Sequence, residues 1–193
     1  MIKIENIEVY GFDAAIRGMR NPLNSWDRSD RGGSKDIDLM HRLYKGGPEH
    51  RKYLRQIFVT MDITAPLYWI AEHDTYKVAT TRNSCSFMHK GVSRAFEIED
   101  FTTEHEEYLI PIINLLNNLR DAYLKDKDIE TFRQIRQILP QGYNCRYTWS
   151  CNYETIINII HQREHHKLSE WREFVKVMKS LPYIKEIMEG EED

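Results

Sequence analysis

The segment from residue 136 to residue 166 concentrates side chains that could bind an anionic or heterocyclic ligand. Arg136 precedes a Leu-Pro pair, and Asn152, Asn158 and Arg163 follow in the pattern Asn-x5-Asn-x4-Arg. A guanidinium presents a planar fork of donors that suits a phosphate or a carbonyl oxygen. A carboxamide offers both a donor and an acceptor. The segment therefore predicts polar recognition beside an isoleucine-rich helix.

Each of these side chains also has an interpretation that requires no ligand. Asn152 stands at the start of the isoleucine-rich helix, where an asparagine commonly caps the first turn. At about 100° per residue, Arg163 comes round to the isoleucine side of that helix, whereas Asn158 faces away from it. Asn158 is then either ordinary solvent-facing polarity or part of a helix wedged between two ligand-bearing surfaces. Arg136 can equally pair with the acidic residues that precede it.

Two further groups of residues carry reactive side chains. His161 and His165 lie four residues apart, a spacing at which a helix can bind zinc, but no HExxH motif is present and no third ligand is indicated. We therefore expect no metal site. Cys85 could act as a nucleophile with His73 or His89 as its base, although nothing in the sequence marks an activated thiolate.

Composition and charge argue against several classes of protein. A hydrophobic share of 41% with 30% charged residues is typical of a globular chain rather than a disordered or membrane protein. The formal charge of −3 gives no general attraction to nucleic acid, so any anion site must be local. Three cysteines without a CxxC pair predict reduced thiols. Short apolar runs and the lack of signal-peptide features predict a cytoplasmic protein without a membrane partner.

The first half of the chain predicts alternating strands and helices. Strands are indicated by the alternation and β-rich composition of "IKIENIEVYGF" and "QIFVTMDIT". Helices are predicted at "DAAIRGMRNP", at "KDIDLMHRLYK" before Gly46 and Gly47, and at "PLYWIAEHD" with Pro66 in its first turn. The stretch "NSWDRSDRGGSKD" is a polar loop whose backbone could hold an anion, and "KVATTRNSCSFMHKG" shows little periodicity.

The second half is mostly helical. Core-spaced apolar residues predict a long helix from about Glu104 to Lys127, with Pro111 as a kink or an early boundary. Further elements are predicted at "IETFRQIRQIL" (helix), "YNCRYTWSC" (strand), the isoleucine helix from Asn152, and helices at about 168–180 and 182–188. No repeat or linker is evident, so residues 1–193 are predicted to form one α/β domain.

The order of these elements is similar to that of the flavin-dependent thymidylate synthases, the ThyX family. The matching positions in the C-terminal half are Arg136, Leu139, Pro140, Asn152, Asn158 and Arg163. Upstream, "QIFVTMDITAPLYWIAEHDTYKVATTRNSCS" aligns without a gap to the family's strand, its Ala-Pro pair, its helix and its signature segment. The resemblance covers roughly residues 40–175. It implies an α+β fold with a central, mostly antiparallel sheet flanked by helices.

The resemblance also implies roles for individual residues. Arg136 and Arg163 would bind the substrate dUMP, and the other positions implied at the substrate are Glu72, Arg82, Cys85 and Ser86. Asn152 and Asn158 would hydrogen-bond the flavin. The remaining positions implied at the cofactor are His50, Thr75, Tyr76 and Lys77.

This chain departs from the family pattern at several of those positions. The signature Arg-His-Arg, followed seven residues later by Ser, falls on Thr75, Tyr76, Lys77 and Cys85. The next nucleotide-binding arginine becomes Phe87, although Arg82 or Ser86 could serve nearby. A flavin-contacting arginine becomes Glu154, which reverses its charge, and the family's Ala-Gln-x-Glu motif falls on residues 168–171. The positions implied at the substrate are thus better preserved than those implied at the flavin.

The family resemblance implies a specific reaction. It is the reductive methylation of dUMP to dTMP, with FAD taking hydride from NADPH and methylenetetrahydrofolate giving the carbon. The resemblance further implies a homotetramer with active sites between subunits. The alternative is a relative that binds a pyrimidine nucleotide but has lost or altered the flavin chemistry, which Thr75, Tyr76 and Glu154 favour.

Overall fold

The computed structural model describes residues 2–190, apart from the side chain of His89, as a mixed α/β protein with a four-stranded antiparallel sheet. The strands are β1 (Lys3–Tyr10), β2 (Phe58–Pro66), β3 (Thr81–Ser84) and β4 (Asn144–Asn152). The helices are α1 (Phe12–Arg20), α2 (Ser34–Lys45), α3 (Leu67–His73), α4 (Phe87–Lys90), α5 (Glu106–Asp126), α6 (Ile129–Ile138), α7 (Tyr153–Arg163), α8 (Ser169–Lys179) and α9 (Ile184–Glu189). Short 3-10 segments lie at Asn21–Leu23, Trp26–Arg28, Arg51–Gln56 and Ile98–Asp100.

The sheet has the strand order β1-β2-β4-β3, so β1 and β3 are its edges. Buried and more exposed residues alternate along β2, as expected when one face of a strand is covered. Asp62 on β2 accepts hydrogen bonds from Asn6 on β1, at 2.9 Å, and from Thr148 on β4, at 2.6 Å. Asn6, within β1, has a left-handed backbone (φ 52°). These bonds fix the register of the three strands.

The chain forms two compact units. The first comprises residues through Lys3, Ile63–Thr75 and Asn83–Tyr147. Its apolar core joins α5 and α6 to the segment before α5. Its buried members are Val92, Phe96, Phe101, Leu109, Ile113, Leu116, Phe132 and Ile135. Spacings of three and four residues along α5 bring its members of this cluster onto one helix face.

The second unit comprises Ile4–Asp62, Tyr76–Arg82 and the residues from Thr148 onward. Helix α7 lies in its core, with Ile156, Ile157, Ile159 and Ile160 all buried. It packs against α8 and against the 3-10 segment Arg51–Gln56, while α2 packs against α9. Tyr153, the first residue of α7, donates a hydrogen bond to the carbonyl of Pro182 at 2.8 Å.

The predicted fold class is confirmed, because the chain combines an antiparallel sheet with many helices. One local prediction is wrong: Pro66 is the last residue of β2 and lies at the N-cap of α3, outside the first turn of that helix. Pro111 lies within α5 and is not its boundary, and the alternative of a kink there stays a prediction. The aperiodic segment after α3 contains the unpredicted strand β3 and the short helix α4. The single-domain organisation remains a prediction.

The polar loop before α2 does hold an anion, but that anion belongs to the chain itself. The carboxylate of Asp36 is buried and accepts from the backbone N–H of Gly32 (3.0 Å) and the hydroxyl of Ser29 (2.7 Å). The Nε of Arg20 donates to the other oxygen at 2.7 Å. Burial alone would raise the pKa of Asp36, but these hydrogen bonds and the Arg20 charge outweigh it and hold the pKa below its ordinary value.

Candidate functional site

Helix α7 begins directly after Asn152, the first asparagine of the sequence motif. The side-chain oxygen of Asn152 accepts from the backbone N–H of Thr155 at 3.0 Å, and Asn152 is only 5% exposed. The predicted N-cap is therefore confirmed. Asn158 is exposed on the outer side of α7, as its position along the helix predicted. The two asparagines thus do not come together on one face.

Arg163, at the end of α7, lies against two aromatic rings. Its Nε donates to the hydroxyl of Tyr76 at 2.8 Å, and that hydroxyl donates to Oε1 of Gln162 at 2.9 Å. The guanidinium carbon lies 4.6 Å from the centroid of the Trp171 ring and 5.6 Å from that of Tyr76. Such cation–π contacts are worth about 0.5–2 kcal/mol each. The second unit therefore holds this partly buried guanidinium in one orientation.

Glu154, the residue of reversed charge, is paired. Arg55 donates to both of its carboxylate oxygens, from Nε at 2.7 Å and from Nη2 at 3.1 Å. Arg55 lies on the 3-10 segment that follows His50. His50 and Lys77 are exposed, and His50 lies 3.7 Å from Glu49. The charge of Glu154 is thus neutralised within the second unit.

A cavity of about 200 Å³ lies in the first unit where β3 passes into α4. We call it the β3–β4 cavity, since the N–H of Cys85 bonds the carbonyl of Arg146 across these strands at 2.9 Å. Its lining includes Cys85, Ser86, Phe87, Lys90, Arg94, Asp100, Tyr143 and Arg146. The structure therefore brings Cys85 and Ser86 to one cavity.

Arg136 extends from α6 towards that cavity. Its guanidinium carbon lies 5.7 Å from the centroid of the Phe87 ring, and Phe87 lines the cavity wall. Phe87 is the residue that stands where the family has an arginine. The exposed guanidinium of Arg136 thus lies over Phe87, the residue aligned with that family arginine.

The other predicted substrate and cofactor residues lie near the end of α3 and on β3. The hydroxyl of Thr75 donates to the carbonyl of Glu72 at 2.7 Å, and the side chain of Glu72 is partly buried. Arg82 is exposed on β3. The roles assigned to all these residues by resemblance remain predictions.

Burial fixes the protonation state of one residue of the cavity, Tyr143. Burial, with a further contribution from Asp100, raises the pKa of Tyr143 to about 12, so its phenol stays protonated at neutral pH. His73, one base considered for Cys85, is buried and its Nδ1 lies 3.2 Å from the hydroxyl of Tyr147. The side chain of the other, His89, lies outside the described part of the chain.

Several residues of these sites were not found from the sequence. Arg55 and Trp171 contact predicted residues, and Lys90, Arg94 and Arg146 line the β3–β4 cavity. The sequence could have indicated Arg55, because it follows His50 in a short basic run.

Within residues 2–190 no cluster of three or more potential metal-binding side chains occurs. None of the helices described is long and apolar enough to cross a bilayer.

Comparison with known proteins identifies a fold. No protein-family model matches this chain, and no curated protein matches it in sequence. Solved structures match along nearly its whole length. Thymidylate Synthase X (ThyX) from Helicobacter pylori with FAD and dUMP has a TM-score of 0.78 at 19% identity, covering 97% of each chain. A second structure of that protein with FAD and dUMP has the same TM-score at 20% identity, covering 97% of this chain and 98% of that one.

A third structural neighbour is a UMP/dUMP methylase, PolB from Streptomyces cacaoi, bound with 5-Br dUMP. Its TM-score is 0.67 at 13% identity, and the match covers 97% of this chain and 92% of that one. At such identities the likeness establishes the fold. The chain therefore has a ThyX-like fold.

Proposed function

We propose that this protein is a flavin-dependent thymidylate synthase-like enzyme that converts dUMP to dTMP, with FAD as cofactor and NADPH and methylenetetrahydrofolate as co-substrates. The observation that carries the proposal is the fold likeness, over 97% of both chains, to a ThyX structure with FAD and dUMP. The arginine and asparagine motif of α6 and α7 supports it independently, because these residues match the family's pattern.

Arg163 is the residue we assign to the uracil. A guanidinium held in place before substrate arrives can stabilise negative charge as it develops on a pyrimidine carbonyl, without reorganising during the reaction. The contacts of Arg163 with Tyr76 and Trp171 supply that fixed orientation.

Arg136 is the residue we assign to the phosphate end of dUMP. A guanidinium fork suits phosphate oxygens. Its position over Phe87, beside the cavity that contains Cys85 and Ser86, supports this assignment. Glu72 and Arg82 complete the proposed substrate residues.

We assign the flavin dinucleotide to residues of the second unit. Because Arg55 neutralises Glu154, a pyrophosphate near α7 would not meet an unpaired carboxylate. His50 and Lys77 are exposed donors, and Asn158 presents an exposed amide. With Asn152 and Tyr76 these are the residues of the second unit proposed to hold FAD, and Thr75 keeps the cofactor role that the resemblance implies. The chemistry that bound FAD would supply is hydride transfer from NADPH.

A homotetramer is part of the proposal. Helix α5 exposes large apolar side chains at Tyr108 (72%), Ile112 (37%) and Leu115 (50%), and their spacings of four and three residues place them on one side of the helix. Contiguous exposed apolar surface commonly marks a protein contact. A second copy of this chain would cover that face.

The cytoplasmic location remains a prediction of the sequence.

The first test is a spectrum of the purified protein with added FAD, recorded with and without dUMP. Flavin absorption that survives desalting, together with dUMP-dependent oxidation of NADPH, is expected for the synthase. Arg163→Ala should abolish turnover, whereas Arg133→Ala, which removes an exposed arginine of α6, should leave it unchanged. Turnover that persists in Arg163→Ala would contradict the assignment.

One observation favours a second function. Tyr76 stands where the family has its signature histidine, and its hydroxyl is already engaged by Arg163 and Gln162. A relative that binds a pyrimidine nucleotide without flavin chemistry could use this arrangement. That function would be indicated if dUMP raised the melting temperature while no flavin was retained.

A further inference from the structure

Two polar residues of α5, Asn117 and Arg120, hold the segment of chain that leads from α4 to α5. This segment, residues 91–101, supplies Arg94 and Asp100 to the lining of the β3–β4 cavity, and we call it the wall segment. We propose that Asn117 and Arg120 are positioning residues, which fix the wall segment and thereby set the affinity of the cavity for a nucleotide. That the nucleotide is dUMP rests on the proposed function.

The carboxamide of Asn117 bonds both backbone groups of one residue in the wall segment. Its Oδ1 accepts from the N–H of Phe96 at 2.8 Å, and its Nδ2 donates to the carbonyl of Phe96 at 3.0 Å. Phe96 is buried, where lost backbone hydrogen bonds are costly. An aliphatic side chain at position 117 would remove both bonds at once. Asn117 therefore fixes the middle of the wall segment.

Arg120 holds the start of the same segment. Its Nε donates to the carbonyl of Val92, a buried residue, at 3.1 Å. Residues three positions apart are neighbours on a helix surface, so Asn117 and Arg120 act on the wall segment from one side of α5. Neither is among the described residues that line the β3–β4 cavity, so each would act through the wall segment.

Bonds within the wall segment connect Phe96 to the residues that face the cavity. Arg94 donates from Nη1 to Oδ2 of Asp100 at 2.9 Å and to the carbonyl of Ala95 at 3.0 Å. The N–H of Glu97 donates to the same carboxylate oxygen at 3.0 Å. Because Phe96 lies between these bonded residues, a shift of its backbone would displace the Arg94–Asp100 pair.

The wall segment also supports Tyr143, which lines the cavity from the other side. The rings of Phe96 and Tyr143 meet edge to face with centroids 6.2 Å apart, and those of Phe101 and Tyr143 do so at 5.5 Å. Burial raises the pKa of Tyr143 to about 12. A loosened wall would expose the phenol and let its pKa fall towards the ordinary value. Tyr143 therefore reports on the position of the wall segment.

Nucleotide affinity tests the inference. Asn117→Leu keeps the branched shape of the side chain but removes both bonds to Phe96, whereas Asn117→Asp keeps the acceptor. Asn117→Leu should bind dUMP about fivefold more weakly in isothermal titration, a typical size for a change that acts through intervening residues. Its KM for dUMP should rise by the same factor with kcat unchanged. Asn117→Asp should lose less, and Arg120→Leu should act in the same direction as Asn117→Leu.

Asp128→Ala is the matched control, because it removes the N-cap of α6 and so lowers stability in the same unit without touching the wall segment. It should bind dUMP like the wild type, and circular dichroism would show that each variant is folded. Equal losses of affinity in Asn117→Leu and Asp128→Ala would overturn the positioning role. So would unchanged affinity in both Asn117→Leu and Arg120→Leu.

Two readouts of the cavity need no nucleotide and separate this inference from the proposed function. In Asn117→Leu the pKa of Tyr143, followed by NMR of ¹³C-labelled tyrosine, should fall. Cys145, a half-buried residue of the cavity lining, should react faster with iodoacetamide. Both changes in a protein that binds no dUMP would sustain the control of the cavity by α5 while the proposed function failed. An unaltered titration together with unaltered labelling would overturn the inference even if dUMP bound.

Discussion

At the scale of single residues, Arg163 shows why the surroundings of a site residue escape sequence analysis. Its position on α7 and its match to the family motif were visible in the sequence. Its partners were not, because Tyr76 lies in a segment without periodicity, 87 residues earlier, and Trp171 lies on the next helix. No local pattern predicts such contacts. Asn152 is the opposite case, because a helix N-cap depends on neighbouring residues and can be predicted from the local sequence.

Tyr76→Phe tests the orientation of Arg163. The change removes the hydroxyl that accepts from Arg163 and donates to Gln162, but keeps the ring. We expect a loss of about 1 kcal/mol in the free energy of unfolding and, if Arg163 acts on the uracil, a fall in kcat/KM for dUMP. Urea denaturation and steady-state kinetics would measure both. Tyr10→Phe alters an exposed tyrosine of β1 and serves as the control; equal effects from the two changes would refute the prediction.

At the scale of elements, periodic segments were predictable and short exposed ones were not. α5, α6 and α7 followed from core-spaced apolar residues, and β2 from alternation. β3 has four exposed polar residues, so it carries no alternating pattern and is recognisable only from its pairing with β4. The β3–β4 cavity was missed for the same reason, because its cations are brought together by that pairing.

The loop before α2 gives a pH prediction. Since the folded pKa of Asp36 is lower than its ordinary value, its stabilising contribution is present above the unfolded pKa of about 4 and is lost as the pH falls through the folded value. Asp36→Asn should flatten this acid-side slope of the unfolding free energy. At neutral pH it should cost about 3 to 5 kcal/mol, because Arg20 remains buried without its charged partner.

Asp38→Asn is the matched control for that experiment. Asp38 pairs with Arg42 at 3.0 Å on the same helix, but both side chains are more than half exposed. Such pairs contribute about 0 to 1 kcal/mol. Denaturation curves between pH 2 and pH 7 that were identical for the two variants would show that Asp36 has no special role.

At the scale of the whole molecule, this chain has a ThyX-like fold although it is only 19% identical in sequence to a ThyX structure. No protein-family model matches the sequence. The motif around α6 and α7 indicated the fold through its residue types and their spacing, from Arg136 to Arg163. The exposed apolar residues of α5 are a whole-molecule feature of a different kind, since they concern contacts between copies.

Tyr108→Glu with Leu115→Glu tests that surface. A buried carboxylate at an apolar contact is costly, so the double variant should run as a smaller species than the wild type in light scattering coupled to size exclusion. Leu23→Glu changes a residue that is 83% exposed on a 3-10 segment, and it should leave the molar mass unchanged. A wild-type protein that is already monomeric would remove the basis for the tetramer.

The two edges of the sheet also govern how copies of the protein can meet. Unpaired edges invite strands from other molecules, and long flat edges promote aggregation. Here β3 is only four residues long and polar throughout, and Asn6 in β1 has a left-handed backbone that departs from regular extended geometry. Both features hinder the growth of continuous intermolecular sheets. The protein is therefore expected to tolerate high concentration without fibrillar aggregation, which leaves self-association to its helices.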